Sequence, residues 1–156
     1  MCKNSSIRVY KYGLTPLLVA VIFRHYSIVE YLANQTIDIN AKDENEMTPL
    51  HYAVRYDHLS VVEYLVNQKA DINAQDKDSM TPLHYAAQHS KLSVIETLVN
   101  QKADINAKDK DSMTPLHYAA QHGNRSIVEY LVFQNADINA KNKDVEFLNL
   151  IKLLLI

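Results

Sequence analysis

Along residues 43–75 the apolar positions fall into two short helical stripes. Leu50, Ala53 and Val54 lie three and four residues apart and share one face, with Arg55 and Tyr56 towards the end of that segment. Asp57 and His58 mark a turn. A second helix is predicted from about Ser60 to Asn67, with Val61, Val62 and Leu65 directed inward and Glu63 outward. Thr48 offers an N-cap hydroxyl to the first helix, and Pro49 takes its first position, where a missing N–H costs nothing. Ala70 to Asn73 is predicted to run extended, and Asp76 to Ser79 supplies turn chemistry. Helices this short are not stable alone in water, so each pair must bury its apolar face against a neighbour.

The neighbours are copies of the same pattern. The four prolines, Pro16, Pro49, Pro82 and Pro115, stand 33 residues apart. Around the last three the chain reads Thr48-Pro49-Leu50-His51-Tyr52-Ala53, Thr81-Pro82-Leu83-His84-Tyr85-Ala86 and Thr114-Pro115-Leu116-His117-Tyr118-Ala119, with a worn copy at Thr15-Pro16-Leu17-Leu18-Val19-Ala20. A second marker recurs in phase: Asp38-Ile39-Asn40-Ala41, Asp71-Ile72-Asn73-Ala74, Asp104-Ile105-Asn106-Ala107 and Asp137-Ile138-Asn139-Ala140. A fixed period of this length means stacked units whose stability is a sum of unit and interface terms.

Both motifs resemble those of the ankyrin repeat family. The resemblance implies an all-α solenoid of stacked helix-turn-helix units with hairpin-like loops, arranged as repeats 10–42, 43–75, 76–108 and 109–141 after a lead of residues 1–9. Residues 142–156 are expected to form a truncated fifth repeat or apolar cap. Asn142-Lys143-Asp144 opens it in phase, Leu148 replaces the expected proline, and Asn149 to Leu155 aligns with the second-helix segments Ser60 to Val66 and Ser126 to Val132. This tail, 145–156, is too short for the roughly 20 residues of a membrane span. Its apolar edge makes it a candidate self-association site.

Glycine is the compositional oddity, with two in the chain, whereas ankyrin repeats usually carry it at turns and helix ends. The slots where a left-handed residue is expected hold Thr36, Lys69, Lys102 and Asn135 after the second helices. Between the helices stand Arg24, Asp57, Ser90 and Gly123, and in the loops before the threonines Gly13, Glu46, Ser79 and Ser112. Keeping those conformations with a Cβ costs on the order of 1 kcal/mol each, less for Asn and Asp. The array is therefore expected to be less stable than a glycine-complete one.

Sixteen basic against eighteen acidic residues gives a net charge of −2, with no basic stripe, so nucleic acid is not an expected partner. The single cysteine, Cys2, excludes an internal disulfide framework and suits a reducing compartment. The apolar run Leu17 to Phe23 is in register with the other first helices, which sets aside a secretory signal. The expected location is intracellular, in the cytoplasm before the nucleus.

Seven histidines raise the question of a metal. His51, His84 and His117 lie one repeat apart, and equivalent residues on stacked helices are about 8 to 10 Å apart. That is too far to share a zinc ion with bonds of about 2 Å. The resemblance implies instead that each bonds near the threonine starting its helix, Thr48, Thr81 or Thr114. Cys2 has no base or orienting partner in view, and no glycine-rich phosphate loop exists. The Asp-Lys-Asp loops lack the loop glycine and distal glutamate of a calcium site. No cofactor, no metal and no enzymatic activity are expected.

What remains is protein binding. In ankyrin proteins partners meet the concave surface of loop tips and first-helix ends, which maps to Glu44, Asn45, Met47, Arg55 and Tyr56 in the second repeat. The third offers Lys77, Asp78, Met80, Gln88 and His89, and the fourth Lys110, Asp111, Met113, Gln121 and His122. The methionine row either faces a partner as a soft apolar strip or packs on the neighbouring loops. Repeats three and four agree at 25 of 33 positions, including all five of these pairs. Selectivity is therefore expected nearer the N-terminus, through Tyr12, Phe23 and Tyr56, with Arg55 and Tyr56 as first-choice anchors. Inhibition of an enzyme such as a kinase by surface binding is the alternative to a scaffold role.

Overall fold

A computed structural model describes residues 13–35 and 37–143. The predicted lead 1–9, Cys2, Tyr12, the Thr36 slot and the tail 145–156 lie outside the described residues. Within them the chain forms four helix pairs: α1 (Pro16–Ile22) with α2 (Tyr26–Ala33), α3 (Pro49–Arg55) with α4 (Leu59–Asn67), α5 (Pro82–Gln88) with α6 (Leu92–Asn100), and α7 (Pro115–Gln121) with α8 (Arg125–Phe133). No strand is formed among the described residues.

Every first helix begins at its Thr-Pro pair. Thr15, Thr48, Thr81 and Thr114 are N-caps with extended backbone, and each following proline takes the first helical position. In the last three repeats the cap is a closed box. The threonine side chain meets the backbone N–H three residues on, and the histidine there reaches back to the threonine N–H.

Every first helix ends in one way, and α4, α6 and α8 end likewise. The residue after the C-cap turns left-handed, and it and its successor donate to two of the last carbonyls. For α3 these bonds run from Asp57 N–H to the Val54 carbonyl, 3.0 Å, and from His58 N–H to that of Ala53, 2.8 Å. Glycine is spared at most of these sites: Arg24, Asp57, Lys69, Ser90, Lys102 and Asn135 have φ between 57° and 70°. Glu46, Ser79 and Ser112 do the same in the loops, beside Gly13 and Gly123. Each expected left-handed slot among the described residues is left-handed.

First helices stack on first helices along the array, and α2, α4 and α6 stack in turn on the other side. Alanines at the crossing points, Ala53, Ala86, Ala87, Ala119 and Ala120, are fully buried and let the backbones approach closely. The core runs the length of the described array through Leu50, Leu83 and Leu116 on the first helices and Leu65, Leu98 and Leu131 on the second. Burial of this apolar surface, at about 25 cal/mol per Å², is the main force holding repeat to repeat.

Candidate partner-binding face

The loop before each Thr-Pro pair is a tight hairpin built around one aspartate. Asp43 N–H donates to the Met47 carbonyl at 3.1 Å, and Glu46 N–H to the Asp43 carbonyl at 3.0 Å. Its carboxylate accepts from the Asn45 and Met47 amides, both at 2.9 Å, and from the Tyr52 hydroxyl at 2.7 Å. Asp76 repeats this with Asp78, Met80 and Tyr85, and Asp109 with Asp111, Met113 and Tyr118. Burial and the adjoining carboxylate raise the pKa of each of these tyrosines well above the ordinary phenol range. They remain neutral donors at any physiological pH. Sequence reasoning missed these pairs, although an Asp followed nine residues later by a Tyr recurs three times in phase.

The histidines join one repeat to the next. His51 Nδ1 accepts from the Thr48 amide at 3.1 Å and lies 2.8 Å from its hydroxyl, while Nε2 donates to the Met80 carbonyl at 3.1 Å in the following repeat. His84 does the same with Thr81 and the Met113 carbonyl. His117 repeats the bonds to Thr114 and reaches the backbone of Ala140. Burial pushes the pKa of all three below the ordinary histidine value, against the smaller opposing pull of the backbone bond. Each is a neutral structural imidazole. Among the described residues no three His, Cys, Asp or Glu side chains gather to hold a metal ion.

The Asp-Ile-Asn-Ala segments form a parallel set of links. Asp71 caps its own turn by accepting from Asn73 N–H at 3.0 Å, and the Asn40 side chain accepts from Asp71 N–H at 2.8 Å across the junction. Asn73 and Asn106 repeat the crossing to Asp104 and Asp137, each at 2.8 Å. The aspartate serves its own repeat and the asparagine serves the next.

These networks decide which of the candidate contact residues face outward. Met47 and Met80 are 3% and 8% exposed, because their amides are drawn onto the aspartate and their side chains fall inward. Met113 is half-buried, with its sulfur beside the Asn142 side chain at 3.0 Å. An outward methionine strip is corrected accordingly: these side chains pack within the loops. Glu44, Asn45, Lys77, Asp78, Lys110 and Asp111 are exposed at the tips. Two tips are tied by ion pairs, Asp78 to Lys110 at 2.6 Å and Asp111 to Lys143 at 2.8 Å. The first raises the Lys110 pKa and the second lowers that of Asp111.

The other exposed set lies where the first helices end. Phe23, Tyr56, His89 and His122 occupy equivalent positions and are all exposed, Phe23 at 64% and Tyr56 at 46%. Tyr56 stacks on Tyr52 with ring centres 6.1 Å apart, and His89 on Tyr85 at 6.4 Å. Beside this row Arg55 and Gln121 are exposed and Gln88 is half-buried. Partial burial, then Arg55, Lys91 and His122, lower the His89 pKa. The row passes from an apolar ring at Phe23, through Tyr56 with its neighbouring guanidinium, to two imidazoles.

Paired short helices, left-handed caps and hairpin loops recurring in one register define the chain as a helical repeat solenoid. The family model for ankyrin repeats matches residues 2–76 and 69–142, and the chain belongs to the ankyrin repeat family. A search of the curated proteins finds no match to it. Ankyrin repeats are in general protein–protein interaction modules. No described helix is long and apolar enough to cross a membrane.

Proposed function

We propose that this chain is a non-enzymatic binding module that takes a protein partner on its concave face, along the row formed by Phe23, Tyr56, His89 and His122. The observation that carries this reading is the exposure of Phe23 and Tyr56, large aromatic side chains at equivalent positions beyond the buried stripe of the first helices. Tyr56 is held by a stacked ring and stands next to Arg55, which is exposed and has no ion pair among the described residues, and tyrosine and arginine are among the residue types enriched at the energetic centres of interfaces. The loop tips contribute mainly rim contacts, since three of their charges, Asp78, Lys110 and Asp111, are already held in ion pairs.

Capture of partners by the wild type and by an Arg55→Ala, Tyr56→Ala double variant tests this reading, with the affinity of each captured protein then measured. Loss of at least about 2 kcal/mol of binding is expected for a pair of central anchors. Equal recovery and equal affinity would show that the partner lies elsewhere. An activity assay on the captured protein separates a scaffold from an inhibitor of an enzyme such as a kinase.

A further inference from the structure

The first repeat presents an open socket where every later repeat is closed. A cavity of about 330 Å³ lies between α1 and the end of α2, lined chiefly by the apolar Pro16, Leu17, Leu32, Ile37 and Ala41, with Thr15 and Asp38 at its polar edge. The residues in register with Leu32, namely Leu65, Leu98 and Leu131, are fully buried, and Leu32 is not. Ile37 is 40% exposed, whereas Ala70, Ala103 and Ala136 in its register are at most 9% exposed. Along α2 the contrast is larger. Ile28 is 47% exposed against 1% for Val61, Val94 and Ile127, and Tyr31 is 66% exposed. Tyr64, in register with Tyr31, packs edge-on against Tyr26 of the preceding repeat and donates its hydroxyl to the Glu30 carbonyl at 3.3 Å. The exposed face of α2 is thus the face that a preceding second helix covers elsewhere in the array.

Segment 149–155 has the sequence of such a helix. Asn149-Leu150-Ile151-Lys152-Leu153-Leu154-Leu155 falls in register with Ser60 to Val66. Where α4 meets α6, the groove between them is lined by Glu63, Val66 and Asn67 on one side and Thr97, Asn100 and Gln101 on the other. Carried over by register, Lys152, Leu155 and Ile156 would stand against Tyr31, Asn34 and Gln35. Leu148, in register with Tyr26 and Leu59, would lie over Tyr31 as Tyr26 lies over Tyr64.

We infer that this chain associates head to tail, with segment 145–156 of one copy seated on the α1–α2 socket of a second copy and continuing the solenoid across the junction. The contact uses two different surfaces, so it does not close on itself and growth continues beyond a dimer.

Two full-length variants test the assignment by sedimentation across a wide concentration range. One carries Ile28→Glu and Tyr31→Glu in the socket, the other Leu148→Glu and Leu155→Glu in the tail. The wild type is expected to grow in mass with concentration, and each variant alone to stay at the single-chain 17.9 kDa. Their equimolar mixture should stop at twice that mass, because one variant supplies the intact tail and the other the intact socket. Serine at the same four positions replaces glutamate if circular dichroism shows lost helix. A wild type of single-chain mass at every concentration overturns the inference, and would place residues 1–12 or the chain's own tail in the socket. So would a variant that still associates alone, or a mixture that stays monomeric.

Discussion

The first repeat and the third form the same helix pair with different chemistry, and the difference separates what makes a repeat from what joins one to the next. The third has His84 reaching the Met113 carbonyl, and Asp76 gathering two amides and the Tyr85 hydroxyl. The first has Leu18 and Val19 where His84 and Tyr85 stand. Its α1 is nevertheless seven residues long, as α5 is, and starts at a threonine cap, with Thr15 Oγ1 accepting from Leu18 N–H at 3.3 Å. A Thr-Pro start and an apolar stripe are therefore enough for the pair. The histidine, aspartate and tyrosine are coupling groups, and the first repeat, without them, is joined to the second by packing and by other bonds, from Asp71 N–H to the Asn40 side chain, from the Tyr64 hydroxyl to the Glu30 carbonyl and between the His58 ring and the Val21 carbonyl.

Acid should break the comparison most widely. His51, His58, His84, His89 and His117 all have pKa values lowered on folding, chiefly by burial. Below an unfolded value of about 6.5 the unfolded chain binds protons that the folded chain refuses. Stability is therefore full above about pH 6.5 and falls as pH drops from there towards the folded-state values, before carboxylates titrate. Adding a proton to Nδ1 of His51, His84 or His117 also opposes the threonine amide that donates to it. Hydrogen exchange compared at about pH 7.5 and 5.5 should show α3, α5 and α7 losing protection, with α1, which has Leu18 instead, changing less. Protection lost equally in α1 would mean that the imidazoles do not carry the acid response.

The largest single-residue effect should come at the junction of repeats three and four. His84→Ala leaves the Thr81 amide buried without its acceptor and takes from the Met113 carbonyl one of its two donors, Asp109 N–H remaining, a loss of about 2 to 3 kcal/mol in urea unfolding. His84→Leu restores the bulk, as Leu18 provides it in the first repeat, but neither hydrogen bond. It should cost nearly as much as alanine. Full rescue by leucine would show that bulk rather than bonding sets the junction.

How much of this was legible in the sequence follows from what kind of constraint each feature is. Helix starts at Thr-Pro, the inward stripe of Leu50, Ala53 and Val54, and the left-handed slots are local and periodic, and among the described residues each is observed where expected. Met47 and Met80 show the limit. Their direction is set by a carboxylate four residues upstream that folds the loop back, which no hydropathy pattern encodes. The Lys110 and Lys143 ion pairs were also hidden, because they join residues 32 apart whose proximity exists only once the repeats stack. The bond from the His58 ring to the Val21 carbonyl, 3.0 Å, is not marked by the repeat pattern, since its register holds His25, Lys91 and Asn124 in the other repeats.

A smaller effect, of opposite sign, is expected at the helix ends. Lys69 and Lys102 sit at φ of 66° and 70°, where a Cβ is disfavoured. Glycine at either should raise the unfolding midpoint by up to about 1 kcal/mol, part of the gain being offset by the looser unfolded chain. Gly123→Ala measures the same quantity in reverse. No atom lies within 4 Å of the added Cβ, so any loss there reflects backbone conformation alone. A stabilising Gly123→Ala would remove the argument for the lysines as well.

The smallest effect distinguishes two neighbouring junctions at the loop tips. Between repeats three and four the Lys110 amide donates to the Asp78 carbonyl at 2.9 Å, and its side chain pairs with the Asp78 carboxylate. Between repeats two and three the Lys77 amide donates in the same way to the Asn45 carbonyl, but Asn45 offers no charge. Both partners of the ion pair are more than half exposed, so water and salt screen it and side-chain ordering consumes much of the gain. A double-mutant cycle of Asp78→Asn with Lys110→Met should give a small coupling that fades as salt is added. Lys77→Met, with no carboxylate opposite, should change stability by less than about 0.5 kcal/mol and show no salt dependence. A large coupling that persists in high salt would promote the tips from rim to structural element, because charges that hold the stack could not be given up to a partner without loosening it.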